Sequence, residues 1–390
     1  MWNWFQKSQK ELEVKESQVA HLIAAKNVGK PVWTPRQFDQ LAEEGYQKNV
    51  IVYRCVSLIA GGIASVPWEI HENGETLCAH PLEKLIRAPN PNQALARFME
   101  ALSGYLMLSG NAYIEMVQVE GEPLELHLLR PDRVRVIPGI SGVPEAYEYR
   151  VGSFSRKIPV NPLNGASTIL HLKTFHPLND WYGMSPLEAA AHAIDQHNAV
   201  GGHNLAVLQN GGRPSGALIL PSGTLTSSQR QALKEDFRDF YQGGPNAGNI
   251  FVLEGEWDWK ELSISPKDLD FIEGKYLSAR EIAQAFGVPA MLVGVPGEAT
   301  FSNYREARYH LWEDTILPLL ESIKTELNRW LVPCFASQGK LELTYDTDSI
   351  SALTPRREGH WNKIAQANFL TINEKRQAVG YAPIEGGDRV

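Results

Sequence analysis

The sequence predicts an α+β fold, with helical regions and short antiparallel strands grouped separately along the chain. Three observations carry this. Apolar residues recur every three to four positions over long stretches, as from Val50 to Val66 and from Tyr304 to Trp330, which is the period of a helix with one buried face. From Ala112 to Leu172 the period shortens to two in brief runs separated by Gly and Pro, the pattern of half-buried strands. Finally, residues 213–265 carry their own strand and helix signals and interrupt two helical runs, 185–210 and 266–287.

The 390 residues are 43% hydrophobic and 21% charged and include ten Trp, enough apolar material for two or three cores and too much for a disordered chain. Cys55, Cys78 and Cys334 are scattered without CxxC spacing, which argues for a reducing compartment and against a disulfide framework or a zinc site. The opening Met1-Trp2-Asn3-Trp4-Phe5-Gln6-Lys7 lacks the layout of a signal peptide. The most apolar window, Val50 to Trp68, is interrupted by Arg54 and Pro67, so no membrane span is expected. These features read as a soluble, cytoplasmic chain. A net charge of −8 disfavours gripping nucleic acid through its phosphates, though not merely contacting it.

Residues 1–35 form a polar arm. From Arg36 the chain turns helical, with Val52, Val56, Ile59, Ile63 and Val66 on one face until Val66-Pro67-Trp68 forces an extended segment. His80-Pro81-Leu82 opens a short helix. The next, Leu95 to Leu108, buries Phe98, Leu102, Tyr105 and Leu106 and stops at Gly110-Asn111. Ala112 to Val117 pairs with Leu124 to Leu128 across Glu120-Gly121-Glu122-Pro123, and strands follow at Val134–Ile137, Tyr147–Val151 and Thr168–Leu172. Ser185-Pro186-Leu187-Glu188 is a capping box that opens a helix to Gln209. In the inserted region, Ala217–Leu220 reads as a strand, a helix buries Leu233, Phe237 and Phe240, and Ile250–Leu253 pairs with Trp257–Leu262. A helix from Pro266 to Gly287 carries Leu269, Ile272, Tyr276, Ala279, Ala283 and Phe286 as a narrow seam. A loop follows, and then a helix capped by Asn303, with Glu306 three residues on and a bend expected at Pro318; it would span about 42 Å.

Enzymatic signatures are missing. No GxxxxGK[ST] loop, GxSxG elbow or Cys–His pair occurs. His192, His197 and His203 share a helix at spacings that do not place metal ligands on one face. Asp346-Thr347-Asp348 has no evident third carboxylate and reads as loop capping, although it keeps a metal-dependent nucleic-acid-processing enzyme as an alternative. A monomeric scaffold or adaptor is the other. Trp257 and Trp259, alternate on one strand, suit packing or a protein interface. No cofactor or metal is expected.

Taken in order, several short motifs resemble the portal proteins of tailed phages, in the branch common among long-tailed siphophages and shared with phage-derived gene transfer particles. They are Val52-Tyr53-Arg54-Cys55-Val56 with Ile63 to Pro67; His80-Pro81-Leu82 with Pro89-Asn90-Pro91; Gly110-Asn111-Ala112-Tyr113-Ile114-Glu115; and Gly183-Met184-Ser185-Pro186-Leu187. Asn210 to Gly216, Ser265-Pro266-Lys267-Asp268, Phe286-Gly287-Val288-Pro289, Leu370 to Arg376, Gly380-Tyr381-Ala382-Pro383 and Gly386-Gly387-Asp388 continue the series. The resemblance implies a wing at 36–184, stem helices at 185–212 and 266–287, and a clip at 213–265. It also implies a tunnel loop at 288–303, a helix beyond it at 304–332, and a short crown at 333–390.

It further implies a homo-oligomeric ring of about twelve subunits at one capsid vertex of a virion or phage-like particle, assembled in the bacterial cytoplasm. Double-stranded DNA would pass through it. Its other implied partners are the terminase large subunit, the major capsid protein and a head-tail adaptor, with no membrane. On this basis Glu298, Thr300, Phe301, Ser302 and Asn303 are expected to face DNA, and Gly294, Pro296 and Gly297 to let the loop move. Arg230, Lys234, Glu235 and Arg238 would form a docking surface on the clip, and Leu269, Ile272 and Tyr276 a seam between subunits.

Overall fold

The computed structural model describes residues 33–77, 79–140, 142–209, 216–219, 258–261, 271–297, 300–335 and 339–388. The chain enters through a short helix, α1 (Phe38–Leu41), that runs on as a π turn, Ala42–Gln47. It continues into α2 (Val50–Ala64). Asn49 caps α2 by accepting hydrogen bonds from the Ile51 and Val52 amides at 3.0 and 3.2 Å. The apolar stripe read from the sequence is its buried face: Val52, Val56, Ile59 and Ile63. Gly62 of α2 lies close against a crossing helix, where a Cβ would fall 2.6 Å from the Ile316 Cδ1.

Among the described residues, three three-stranded antiparallel sheets and one two-stranded sheet supply the β component. β1 (Trp68–Glu72) and β2 (Glu75–Thr76) precede α3 (Pro81–Arg87) and α4 (Leu95–Ser109). Gly110 ends α4 in the left-handed region at φ +70°, as a helix C-terminus favours. Tyr105, expected on the buried face of α4, is only half-buried, because it sits at the margin of the stripe. Then come β3 (Asn111–Val119) and β4 (Glu122–Leu129), joined at Glu120-Gly121 as expected, followed by β5 (Val134–Ile137), β6 (Ala146–Val151), β7 (Phe154–Pro159) and β8 (Ile169–Lys173). One sheet has the order β4-β3-β8 and another β5-β6-β7. β3 is buried on both faces. Ala112, Ile114 and Met116 join the main helical core, while Tyr113 points the other way, into a smaller core with Val136, Tyr147, Ile158 and Ile169.

The helical run at 185–210 is two pieces, α5 (Pro186–Ala189) and α6 (Ala191–Gln209), with Ala190 closing the first. Ser185 caps α5 by accepting from the Glu188 amide at 3.0 Å. Of the inserted region, β9 (Gly216–Ile219) pairs antiparallel with β10 (Asp258–Glu261). The expected strand Ile250–Leu253 and the helix with Leu233, Phe237 and Phe240 lie outside the described residues. α7 (Phe271–Ala285) packs against α6 and α2.

After the turn come α8 (Phe301–His310), a π turn at Leu311–Ile316, and α9 (Leu317–Trp330). The single long helix expected here thus runs on without a break, with a π turn just before Pro318. A proline cannot donate to the preceding turn, and the wider π turn sits just upstream of that missing bond.

The chain then returns. β11 (Leu341–Tyr345) pairs antiparallel with β1, Trp68 opposite Tyr345 and Glu72 opposite Leu341, giving the order β11-β1-β2. The residues expected to start a crown at 333 thus contribute a strand to the first region of the chain. α10 (Thr354–Gln366) and α11 (Ile372–Ala378) complete the fold. α10 buries none of its residues. It meets α8 through Arg356, whose guanidinium lies 3.7 Å from the Tyr309 ring centre and pairs with Glu306 and Glu313.

Candidate functional site

The turn between α7 and α8 is built around its few apolar residues. α7 ends where Gly287 takes φ +67°. Thr315 holds this corner, its hydroxyl donating to the Gly287 carbonyl at 2.7 Å. Val288, Leu292 and Val295 are buried, so the 3-10 turn Ala290–Val293 is pinned to the core on both sides. Gly294 reverses the chain between the last two pins at φ +83°, with open space where a Cβ would lie. Pro296 and Gly297 are exposed beyond the last pin. Arg280 of α7 reaches across to donate to the Pro296 carbonyl at 3.0 Å.

The helix after the turn starts earlier than the sequence indicated. Thr300, not Asn303, is the cap: its hydroxyl accepts from the Asn303 amide at 3.2 Å. A cap side chain reaches the amide three residues on, and for Thr300 that amide belongs to Asn303 itself. Ser302 and Asn303 accordingly lie exposed on the first turn of α8 rather than in the loop. Phe301 begins α8. Glu298 is outside the described residues. Between the buried Val295 and α8 the described residues are the exposed Pro296, Gly297 and Thr300.

The expected seam on α7 divides into two. Ala279, Ala283 and Phe286, with Ile282, are buried inside this chain. Ile272, one turn above Tyr276, is 68% exposed and Tyr276 38%, with Leu277 exposed beside them. Among the described residues, the amino-terminal half of the stripe therefore has no apolar cover. Leu269 and the four clip residues Arg230, Lys234, Glu235 and Arg238 lie outside the described residues.

The polar motifs that suggested chemistry have local structural duties. Asp346 Oδ1 accepts from the Asp348 amide at 2.7 Å, and Asp348 pairs with Arg357 at 2.6 Å. His197 is buried and contacts Asn49 Nδ2 at 3.2 Å, whereas His192 stands edge-on to Trp33 at 4.4 Å. His310, Glu313 and Asp314 cluster on the exposed side of the long helix, and His310 already pairs with Glu306 and Asp314. Among the described residues no helix is long and apolar enough to cross a membrane.

Sequence reasoning missed Thr315, Arg280 and Arg356. Each acts on a partner 16 to 50 positions away, and no local period marks such pairs.

Mixed helices and small antiparallel sheets, with an exposed helical stripe and a pinned turn, define a subunit of the α+β class. The sequence model described as phage portal protein matches residues 50–380, and the chain belongs to that family. It is similar to a chain from the neck of an empty GTA particle solved with C6 symmetry, 41% identical, covering 93% of this chain and 99% of that one with a TM-score of 0.71. A chain from the neck of a native GTA particle solved with C12 symmetry is likewise 41% identical, at the same coverages and a TM-score of 0.69. The portal protein of Enterobacteria phage HK97 is 26% identical over 351 residues, 86% of this chain and 80% of that protein.

Proposed function

We propose that this chain is the subunit of a portal ring at one vertex of a phage or gene-transfer particle, through which double-stranded DNA is packaged and later released. The observation that carries the reading is the family match over 50–380, joined to near-complete coverage of neck chains solved with twelvefold and sixfold symmetry. The exposed pair Ile272 and Tyr276 supports it from the fold, because an exposed apolar stripe suits a heterologous contact that closes into a ring. About twelve copies would form the ring.

Within it, the turn past Val295 would face the lumen, with Gly297 and Thr300 nearest the duplex and Glu298, Phe301, Ser302 and Asn303 alongside. Gly294 is better placed to fix the turn than to move it, so loop motion would rest on Pro296 and Gly297. The residues 213–265, with Arg230, Lys234, Glu235 and Arg238, would dock the terminase large subunit and later the head-tail adaptor. The wing would meet the major capsid protein. Assembly would take place in the bacterial cytoplasm. On this reading the chain is a conduit, and the energy for DNA movement comes from a separate motor.

Negative-stain imaging of the purified chain tests the ring directly: a closed particle with a central hole is expected, and a monodisperse monomer would overturn the reading. Ile272→Asp with Tyr276→Asp should reduce the ring fraction roughly tenfold or more while the monomer stays folded by circular dichroism. Replacing Pro296 and Gly297 with alanines should leave the ring intact and lower the DNA packaged per particle. Loss of assembly instead would make the turn structural.

A further inference from the structure

The sheet β5-β6-β7 covers the smaller core with one face and turns the other outward. Alternation along the strands puts Val136, Tyr147 and Ile158 on the inner face. Their neighbours Arg135, Glu148 and Lys157 therefore share the outer face, opposite one another across the three strands. Arg150 and Ser155, paired two residues further along, extend this group. Arg135, Arg150, Ser155 and Lys157 are exposed, whereas Glu148 is only 8% exposed.

Glu148 is the one acid of the group. Its Oε1 accepts from Arg150 Nη2 at 3.0 Å and from the Ser155 hydroxyl at 2.9 Å, which hold its carboxyl below the usual carboxylate range. One carboxylate does not offset three cations, and Arg135 and Lys157 form no ion pair among the described residues. Nearby acids are engaged elsewhere: Glu115 with Arg156, which points to the other side of the sheet, and Asp132 with Arg130. The group is thus locally positive in a chain of net charge −8.

Its composition narrows the partner. These positions hold no aromatic ring on which an unpaired base could stack. They also hold no apolar anchor of the kind that centres a protein interface. A duplex backbone asks only for cations at a workable spacing. Strands about 4.8 Å apart set Arg135 and Lys157 roughly 10 Å from one another. That span covers about three phosphates of one DNA strand at ~3.4 Å each.

We propose that the outer face of β5-β6-β7 is a sequence-independent contact surface for the phosphate backbone of double-stranded DNA. Arg135, Arg150 and Lys157 each take a phosphate, and Glu148 fixes the Arg150 guanidinium while leaving donors free. The surface is distinct from the turn past Val295: that turn is pinned to the main core, this sheet to the smaller one. It serves DNA lying outside a channel and does not depend on ring closure.

Filter binding of the full-length chain to a closed circular duplex, which has no end to thread, tests this between about 50 and 200 mM salt. Arg135→Gln combined with Lys157→Gln spares the Arg150–Glu148 pair. It should flatten the slope of log affinity against log salt by about 1.8, two phosphate contacts at ~0.9 each. Across that range the unaltered chain should accordingly lose about 12-fold more affinity than the variant. Glu148→Gln, which removes the charge and keeps an acceptor, should tighten binding several-fold. An unchanged slope in the double variant, or weaker binding with Glu148→Gln, would overturn the proposal. So would a double variant that loses binding to polyglutamate while keeping its affinity for DNA, which would make the face a protein contact. Because a closed circle cannot thread a ring, failure here leaves the ring reading untouched, and a chain that stays monomeric can still be tested.

Discussion

His171 is wedged between two tyrosines, stacked on Tyr113 at 4.3 Å and edge-on to Tyr147 at 5.9 Å. Burial, helped by the Lys173 charge, disfavours the imidazolium and pushes its pKa down to about 3 from an ordinary value near 6.5. Between those values the unfolded chain takes up a proton that the folded chain refuses. Stability from this residue is therefore complete above about pH 6.5 and is lost as pH falls toward 3, by up to about 1.4 kcal/mol per pH unit. Urea unfolding at pH 7 and pH 4.5 should show a smaller loss for His171→Gln than for the unaltered chain. Equal losses would mean that His171 does not carry the acid sensitivity. Burial in the main core pushes the Cys55 thiol up to about 12, which leaves it a packing residue rather than a nucleophile.

At the scale of elements, α8 offers a direct check on where a helix begins. Thr300→Ala removes the hydroxyl that holds the Asn303 amide and should destabilise the first turn by about 1 kcal/mol, whereas Asn303→Ala should do much less. Amide hydrogen exchange at residues 301–305 reads the difference, and a larger effect from Asn303 would restore the later start. The amphipathic helices were legible in the sequence because one buried face imposes a period, as at Val52, Val56, Ile59 and Ile63. The β3–β4 hairpin was legible through Glu120-Gly121. β7 was not, because Ser155, Arg156 and Lys157 are exposed and only Ile158 of that strand is buried, so no alternation shows. β11 was missed for another reason: its partner is β1, far away in sequence. The turn between α7 and α8 was recognised from its glycines and prolines. Its pins at Leu292 and Val295 were not, since isolated apolar residues in a loop look the same whether buried or free.

Over the whole molecule, the helices after β11 are held unlike the rest. α10 buries none of its own residues, and its link to α8 is the Arg356 group with Tyr309, Glu306 and Glu313, all at the surface. An exposed ionic latch weakens as salt screens it, and at 1 M ionic strength the screening length shrinks to about 3 Å. Limited proteolysis within residues 351–388 should accelerate several-fold with Arg356→Ala, and high salt should bring the unaltered chain toward the variant. A rate independent of both would show that the region is held by other contacts. Such a latch would make the carboxyl-terminal helices the part of the subunit most readily displaced without disturbing the main core.

The pairing of β11 with β1 also sets a schedule for synthesis. Trp68–Glu72 emerges from the ribosome early, but its sheet neighbour, Leu341–Tyr345, does not exist until some 270 residues later. At roughly 5–20 residues per second, that interval is on the order of 15–55 s, during which one edge of β1 stands open. Only a polypeptide translated past Tyr345 can close that sheet. A truncated product that stops short of residue 341 would keep an unpaired strand edge, a feature that favours aggregation over orderly association. The returning strand therefore makes closure of that sheet wait for synthesis past residue 345.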